Sequence, residues 1–143
     1  MKLINKIILI FFFILTNFVS ASENYFSKAK ELFEQGNYED SKFLFQRSIV
    51  FNPKYSKSYL YLAKIYNLEE NEGEEIKNLN TTLLLEPDNE EATYLLIEIE
   101  LKKSNFSLVK ELRNNLKSIC LVLCEKINSI NERLDDIEAK NES

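Results

Sequence analysis

The side chains best suited to chemistry in this 143-residue chain are two cysteines, Cys120 and Cys124, and a run of glutamates, Glu69, Glu70, Glu72, Glu74 and Glu75. The chain has no histidine, so neither a Ser–His nor a Cys–His pair can activate a nucleophile. A metal would rest on carboxylates, and their spacing suggests no site. Two isolated glycines, Gly36 and Gly73, cannot build a phosphate-cradling loop. The glutamate run reads as a solvated acidic turn, with weak cation holding as the alternative. These absences predict a protein that is not an enzyme and uses no cofactor and no metal.

The cysteines allow more. Four apart on one helix, their α-carbons would be about 6 Å apart, near the upper end of the disulfide range, with side-chain directions that suit a bridge badly. The C-x-x-x-C spacing is also not the redox-active C-x-x-C, so a redox protein is a weak third reading. Cys120 reads as a small buried hydrophobe, and a bridge between two chains is the functional alternative.

The elements that position these residues follow from composition. Punctuation is confined to Gly36, Gly73, Pro53 and Pro87, and no glycine or proline occurs from Asp88 to Ser143. With plentiful Leu, Ile, Lys and Glu, this predicts an all-α chain of one domain. The opening residues stand apart. Lys2 and Lys6 precede an apolar run from Ile7 to Leu15, and Val19-Ser20-Ala21 closes the segment. That pattern predicts a signal peptide over residues 1–21, cleaved after Ala21, with an uncleaved anchor and membrane association as the alternative. Removing it takes two basic residues and no acidic one, leaving a net charge of −7. So acidic a chain disfavours nucleic acid as partner.

Pro53 and Pro87 are 34 residues apart, the period of a helix–turn–helix repeat. Aligned on them, the units open at Ser22, Ser56 and Glu90. Matched positions hold Tyr25, Tyr59 and Thr93; Ala29, Ala63 and Ile97; Leu32, Tyr66 and Glu100; Phe45, Leu79 and Arg113. The turns read Gly36-Asn37-Tyr38, Glu70-Asn71-Glu72 and Ser104-Asn105-Phe106. Gly36 ends a helix at low steric cost, Asn37 can cap the next, and Pro53 cannot continue one.

On these residues the chain resembles the tetratricopeptide repeat family from Ser22 to about Cys120. The resemblance implies an α-solenoid of antiparallel helix pairs: units at 22–55 and 56–89, and a degenerate third at 90–120, where Thr93, Glu100 and Arg113 depart from the pattern. It also implies a concave groove lined by first helices, here Phe26, Lys30, Phe33, Lys57, Leu60, Tyr61, Lys64, Asn67, Tyr94 and Glu98. Rings supply area and lysines attraction for an extended peptide or an acidic segment. A carboxylate clamp of the kind some members use is not met. Its places hold Phe26, Lys30, Tyr61, Glu91 and Leu95, of which only one is basic.

After Asn105 the pattern predicts one helix to the end of the chain, with residues 121–143 extending it. Leu116, Cys120, Leu123, Ile127, Ile130, Leu134 and Ile137 are spaced alternately by four and three, the period of a coiled-coil seam. Two roles compete: a cap on the last repeat, or pairing with a second chain into a homo-oligomer. The leading expectation is an exported, periplasmic or equivalent, non-catalytic adaptor that binds a protein or peptide, by family analogy in an envelope assembly complex. The alternative is a structural oligomer assembled through the seam.

Overall fold

The computed structural model describes residues 22–141, and the signal-peptide reading lies outside them. Among the described residues every regular element is helical: α1 (22–34), α2 (Tyr38–Phe51), α3 (Ser56–Leu68), α4 (Glu72–Leu85), α5 (Glu90–Lys102), α6 (Phe106–Ile119) and α7 (Lys126–Asn141). The helices α2, α4 and α6 begin at 38, 72 and 106, and α3 and α5 at 56 and 90, each step being 34 residues.

One turn recurs with that period. Gly36, Glu70 and Ser104 have φ of 79°, 56° and 58°, and the N–H groups of Asn37, Asn71 and Asn105 reach back 2.9 Å to the carbonyls of Leu32, Tyr66 and Glu100. This is a left-handed helix stop that satisfies the orphan carbonyls of α1, α3 and α5. Asn37 Oδ1 then accepts from the Asp40 amide at 3.4 Å, and Asn71 Oδ1 from that of Glu74 at 3.3 Å. Asn105 differs because Glu100 stands where Leu32 and Tyr66 do. Its amide Nδ2 donates 2.6 Å to the buried Glu100 carboxylate instead. The ends of α2 and α4 are set by Pro53 and Pro87. Asn52, before Pro53, is extended at φ −143° and ψ 88°, as the following ring requires.

The described residues divide into two compact units, one ending at Asn78 and one beginning at Leu79. In the first, Ala29, Phe45, Leu62 and Ile65 form the core, with Phe26, Phe33, Tyr61 and Tyr66 packed at its edge. Ser22, Ser41, Ser48 and Ser58 are fully buried. Their small side chains allow close helix approach, and every hydroxyl is paired, which removes the cost of burying it. Ser41 Oγ donates to the Ala29 carbonyl at 2.8 Å, Ser48 Oγ to that of Ser22 at 3.0 Å, and Ser58 Oγ to Ser48 Oγ at 3.0 Å. The pairings 22–48 and 29–41 run in opposite directions, so α1 and α2 are antiparallel.

In the second unit the core is Ile97, Leu101, Val109, Leu116, Ile130 and Leu134. Here one expectation is corrected. The last helix, expected to be continuous with residues 121–143 extending it, is two helices among the described residues: α6 stops at Ile119 and α7 begins at Lys126. Leu121 falls two periods after Pro53, where a third proline would stand. The stop comes instead from a disulfide between Cys120 and Cys124, with α-carbons 5.3 Å apart, and from Glu90, whose carboxylate takes amides that a continuing helix would need. The cysteines are therefore not free hydrophobes on a seam, and both sulfurs are paired within the chain.

The apolar positions of the last segment are placed with it. Ile130 and Leu134 are buried against Ile97, Leu101, Val109 and Leu116 of the same chain, with Ile127 packed beside them. Leu123 and Ile137 are half-buried. Burying two large aliphatic side chains contributes about 1.5–3 kcal/mol each, which rewards folding α7 back. Arg113 Nη1 also donates to Asn131 Oδ1 at 2.9 Å across α6 and α7.

Candidate binding surfaces

The first surface lies on α1 and α3 in the first unit. Phe26 and Phe33 are seven apart on α1, hence two turns apart on one face. Tyr61 of α3 meets both edge-on, at 5.5 and 5.3 Å between ring centroids, and stacks on Phe45 at 5.1 Å. Phe26 also meets Tyr55 at 5.1 Å, and Phe33 meets Tyr38 at 5.4 Å. The three rings thus belong to the edge of the core and remain half-buried, so each is fixed in place while keeping part of its surface. Edge-to-face pairs of this kind contribute about 0.5–1.5 kcal/mol beyond area.

Cations flank the rings. Lys64 Nζ sits 4.5 Å from the Tyr61 ring centroid, a distance at which the ring quadrupole attracts it. Lys30 is exposed with Nζ 3.5 Å from Glu34 Oε1, and Lys57 is exposed. Two expected groove residues are placed otherwise. Leu60 is only 6% exposed and offers little surface. Asn67 donates its Nδ2 to the buried Glu75 carboxylate at 3.0 Å.

In the second unit, Tyr94 and Glu98 are both engaged. Tyr94 packs against the core cluster. Burial pushes its hydroxyl pKa up, and the neighbouring Glu98 pushes it the same way. Glu98 accepts from Arg133 Nη1 of α7 at 2.6 Å. The chain's own last helix therefore occupies part of the α5 surface that these residues were expected to offer.

A second surface was not anticipated. Glu90, in the first turn of α5, accepts from the amides of Leu121 (2.6 Å), Val122 (3.0 Å) and Leu123 (2.7 Å). These donors, Leu123 first, hold its carboxyl below the usual glutamate range. Beside it opens a cleft of about 560 Å³ whose lining includes Glu86, Asp88, Glu90 and Glu91 and no basic residue. Tyr94, Leu95, Val122 and Leu123 supply its apolar lining. The sequence signal for this site was the cysteine pair itself, since a bridge four residues long must interrupt the helix around it. No group of residues able to hold a metal ion occurs among the described residues.

No family model and no curated protein matches the sequence. Solved structures do match the fold. The Yersinia enterocolitica type III secretion chaperone SycD, in complex with a peptide of the translocator YopD, superimposes with a TM-score of 0.71 at 17% identity, over 83% of this chain and 93% of that one. The TPR2B domain of yeast Sti1 in a pHsp70 complex gives a TM-score of 0.73 at 12% identity, over 82% and 98%. The first TPR of Spaghetti (RPAP3), bound to the HSP90 peptide SRMEEVD, gives 0.70 at 12% identity over the same shares. With helix starts and left-handed stops recurring every 34 residues, the chain has the all-α fold of the tetratricopeptide-repeat solenoids.

Proposed function

We propose that this chain is an exported, non-catalytic adaptor that takes an extended acidic segment of a partner protein on the α1–α3 face of its first unit. The observation that carries the reading is Tyr61, wedged between Phe26 and Phe33 with Lys64 over its ring. Aromatic area already held in place beside cations matches a peptide of mixed apolar and acidic character, because little side-chain entropy is lost on contact. Lys30 and Lys57 extend the positive edge along the same helices. Neighbours of the same fold support it: SycD was solved with a translocator peptide and RPAP3 with an HSP90 peptide.

Export is supported by the leader-like pattern of residues 1–21 and by the Cys120–Cys124 disulfide, a bond that persists in oxidising compartments. A place in an envelope assembly complex agrees with both. N-terminal sequencing of the protein recovered from the extracytoplasmic fraction should begin at Ser22.

The binding test uses a labelled short peptide of Asp, Glu and Leu, followed by fluorescence anisotropy. Lys30→Glu with Lys64→Glu should abolish its capture while helicity by circular dichroism is kept. Capture that persists unchanged in the double variant would remove this face from consideration.

A further inference from the structure

Between Cys120 and Cys124 lie Leu121, Val122 and Leu123. Leu121 is 89% exposed and Val122 79%, so two large aliphatic side chains stand in water on a turn closed by a disulfide. One exposed leucine would need no explanation. Here, however, the backbone N–H groups beneath the pair are already satisfied. A turn with unpaired amides cannot leave water without losing hydrogen bonds, but all three amides of this tip donate to Glu90. The disulfide and Glu90 also fix the tip before any partner arrives, so little conformational entropy remains to be lost on contact.

The chemistry of the occupant follows from the cleft beside the tip, whose lining holds four acidic residues and no basic one, together with apolar residues. A nucleic acid or an anionic bilayer would meet like charge there. A symmetric pairing of two copies would bring the same four carboxylates of each against one another. A small polycation would leave Leu121 and Val122 in water. We propose that the 121–122 tip and this cleft form a second docking surface, for a basic amphipathic helix of a partner protein. Its apolar stripe covers Leu121 and Val122, and its lysines or arginines lie along the acidic residues of the cleft. The surface shares no residue with the α1–α3 face and prefers the opposite charge, so its test does not depend on that reading.

The experiment titrates the full, oxidised chain with a synthetic amphipathic helix of leucine and lysine, read by anisotropy and by ¹⁵N amide shifts. Saturable one-to-one binding is expected, with shifts at residues 88–95 and 120–125 and none with a glutamate-for-lysine peptide. Leu121→Ser with Val122→Ser, both exposed positions, should weaken binding at least about tenfold with helicity unchanged. Cys120→Ser with Cys124→Ser, which frees the tip, should weaken it too. Equal binding by the Leu121/Val122 double variant, or shifts confined to other helices, would overturn the proposal. So would a dimer by light scattering that the same variant dissolves, which would make a second copy the occupant. Binding to phosphatidylcholine–phosphatidylglycerol vesicles that the variant abolishes would equally overturn it, in favour of a membrane.

Discussion

The amide of Leu123 donates 2.7 Å to the carboxylate of Glu90, a residue 33 positions earlier in the chain. That bond joins the start of α5 to the turn after α6. Together with the Leu121 and Val122 amides it gives Glu90 three backbone donors, and in return Glu90 takes donors that a continuous α6–α7 helix would use internally. One carboxylate therefore helps decide whether the last stretch is one helix or two.

The linkage has a definite sign. Glu90 is held below the ordinary glutamate value of 4.5, so its contribution is complete above that value and is lost as pH falls through the lowered one. Hydrogen exchange at the Leu121, Val122 and Leu123 amides should be protected at about pH 6 and lose that protection toward about pH 3, after correction for intrinsic rates. Glu90→Gln should be less protected at neutral pH and respond less to acid, which separates Glu90 from the other carboxylates of the cleft. A flat profile in the parent chain would contradict the role given to Glu90.

The left-handed stops offer a paired test. No atom lies within 4 Å of a Cβ built on Gly36, where φ is +79°, so Gly36→Ala meets only the backbone cost of that conformation. Urea unfolding should show a loss of about 1 kcal/mol. Glu70 occupies the same conformation at φ 56° with a side chain. Glu70→Gly should therefore be neutral or stabilising by about 0.5 kcal/mol, the relief of strain exceeding the added freedom of the unfolded chain. Matching losses at both sites would mean that Glu70 makes contacts of its own worth more than the strain.

Ile130 separates cap from oligomer. It is 1% exposed within the second unit's core, so Ile130→Ala should cost about 2–4 kcal/mol of stability without changing the molar mass by light scattering. A parent dimer that the variant converts to monomer would return α7 to intermolecular pairing.

Much of the fold could be read from the linear chain because its causes are local. Pro53 and Pro87 stop helices wherever they are placed, Gly36 supplies the left-handed turn, and Asn37 and Asn71 cap α2 and α4. Their 34-residue spacing carried the period into the third unit even where Ser104 had replaced glycine. Phe26, Phe33 and Tyr61 were also legible as aromatics on first helices. That Tyr61 sits between Phe26 and Phe33, fastened to the core, depends on how α3 meets α1, and no local rule contains it.

The end of the chain shows the division most clearly. Residues 106–141 carry helix-forming residues and an unbroken four-three apolar pattern, and these did determine that the segment would be helical and would bury Ile130 and Leu134. Against what they would be buried was left open, because an apolar stripe is satisfied equally by a partner helix or by its own α5 and α6. Only the tertiary structure decided it. Glu90, distant in sequence, reaches the amides of 121–123, and the disulfide closes the turn around them, so the helix breaks where neither glycine nor proline asks it to.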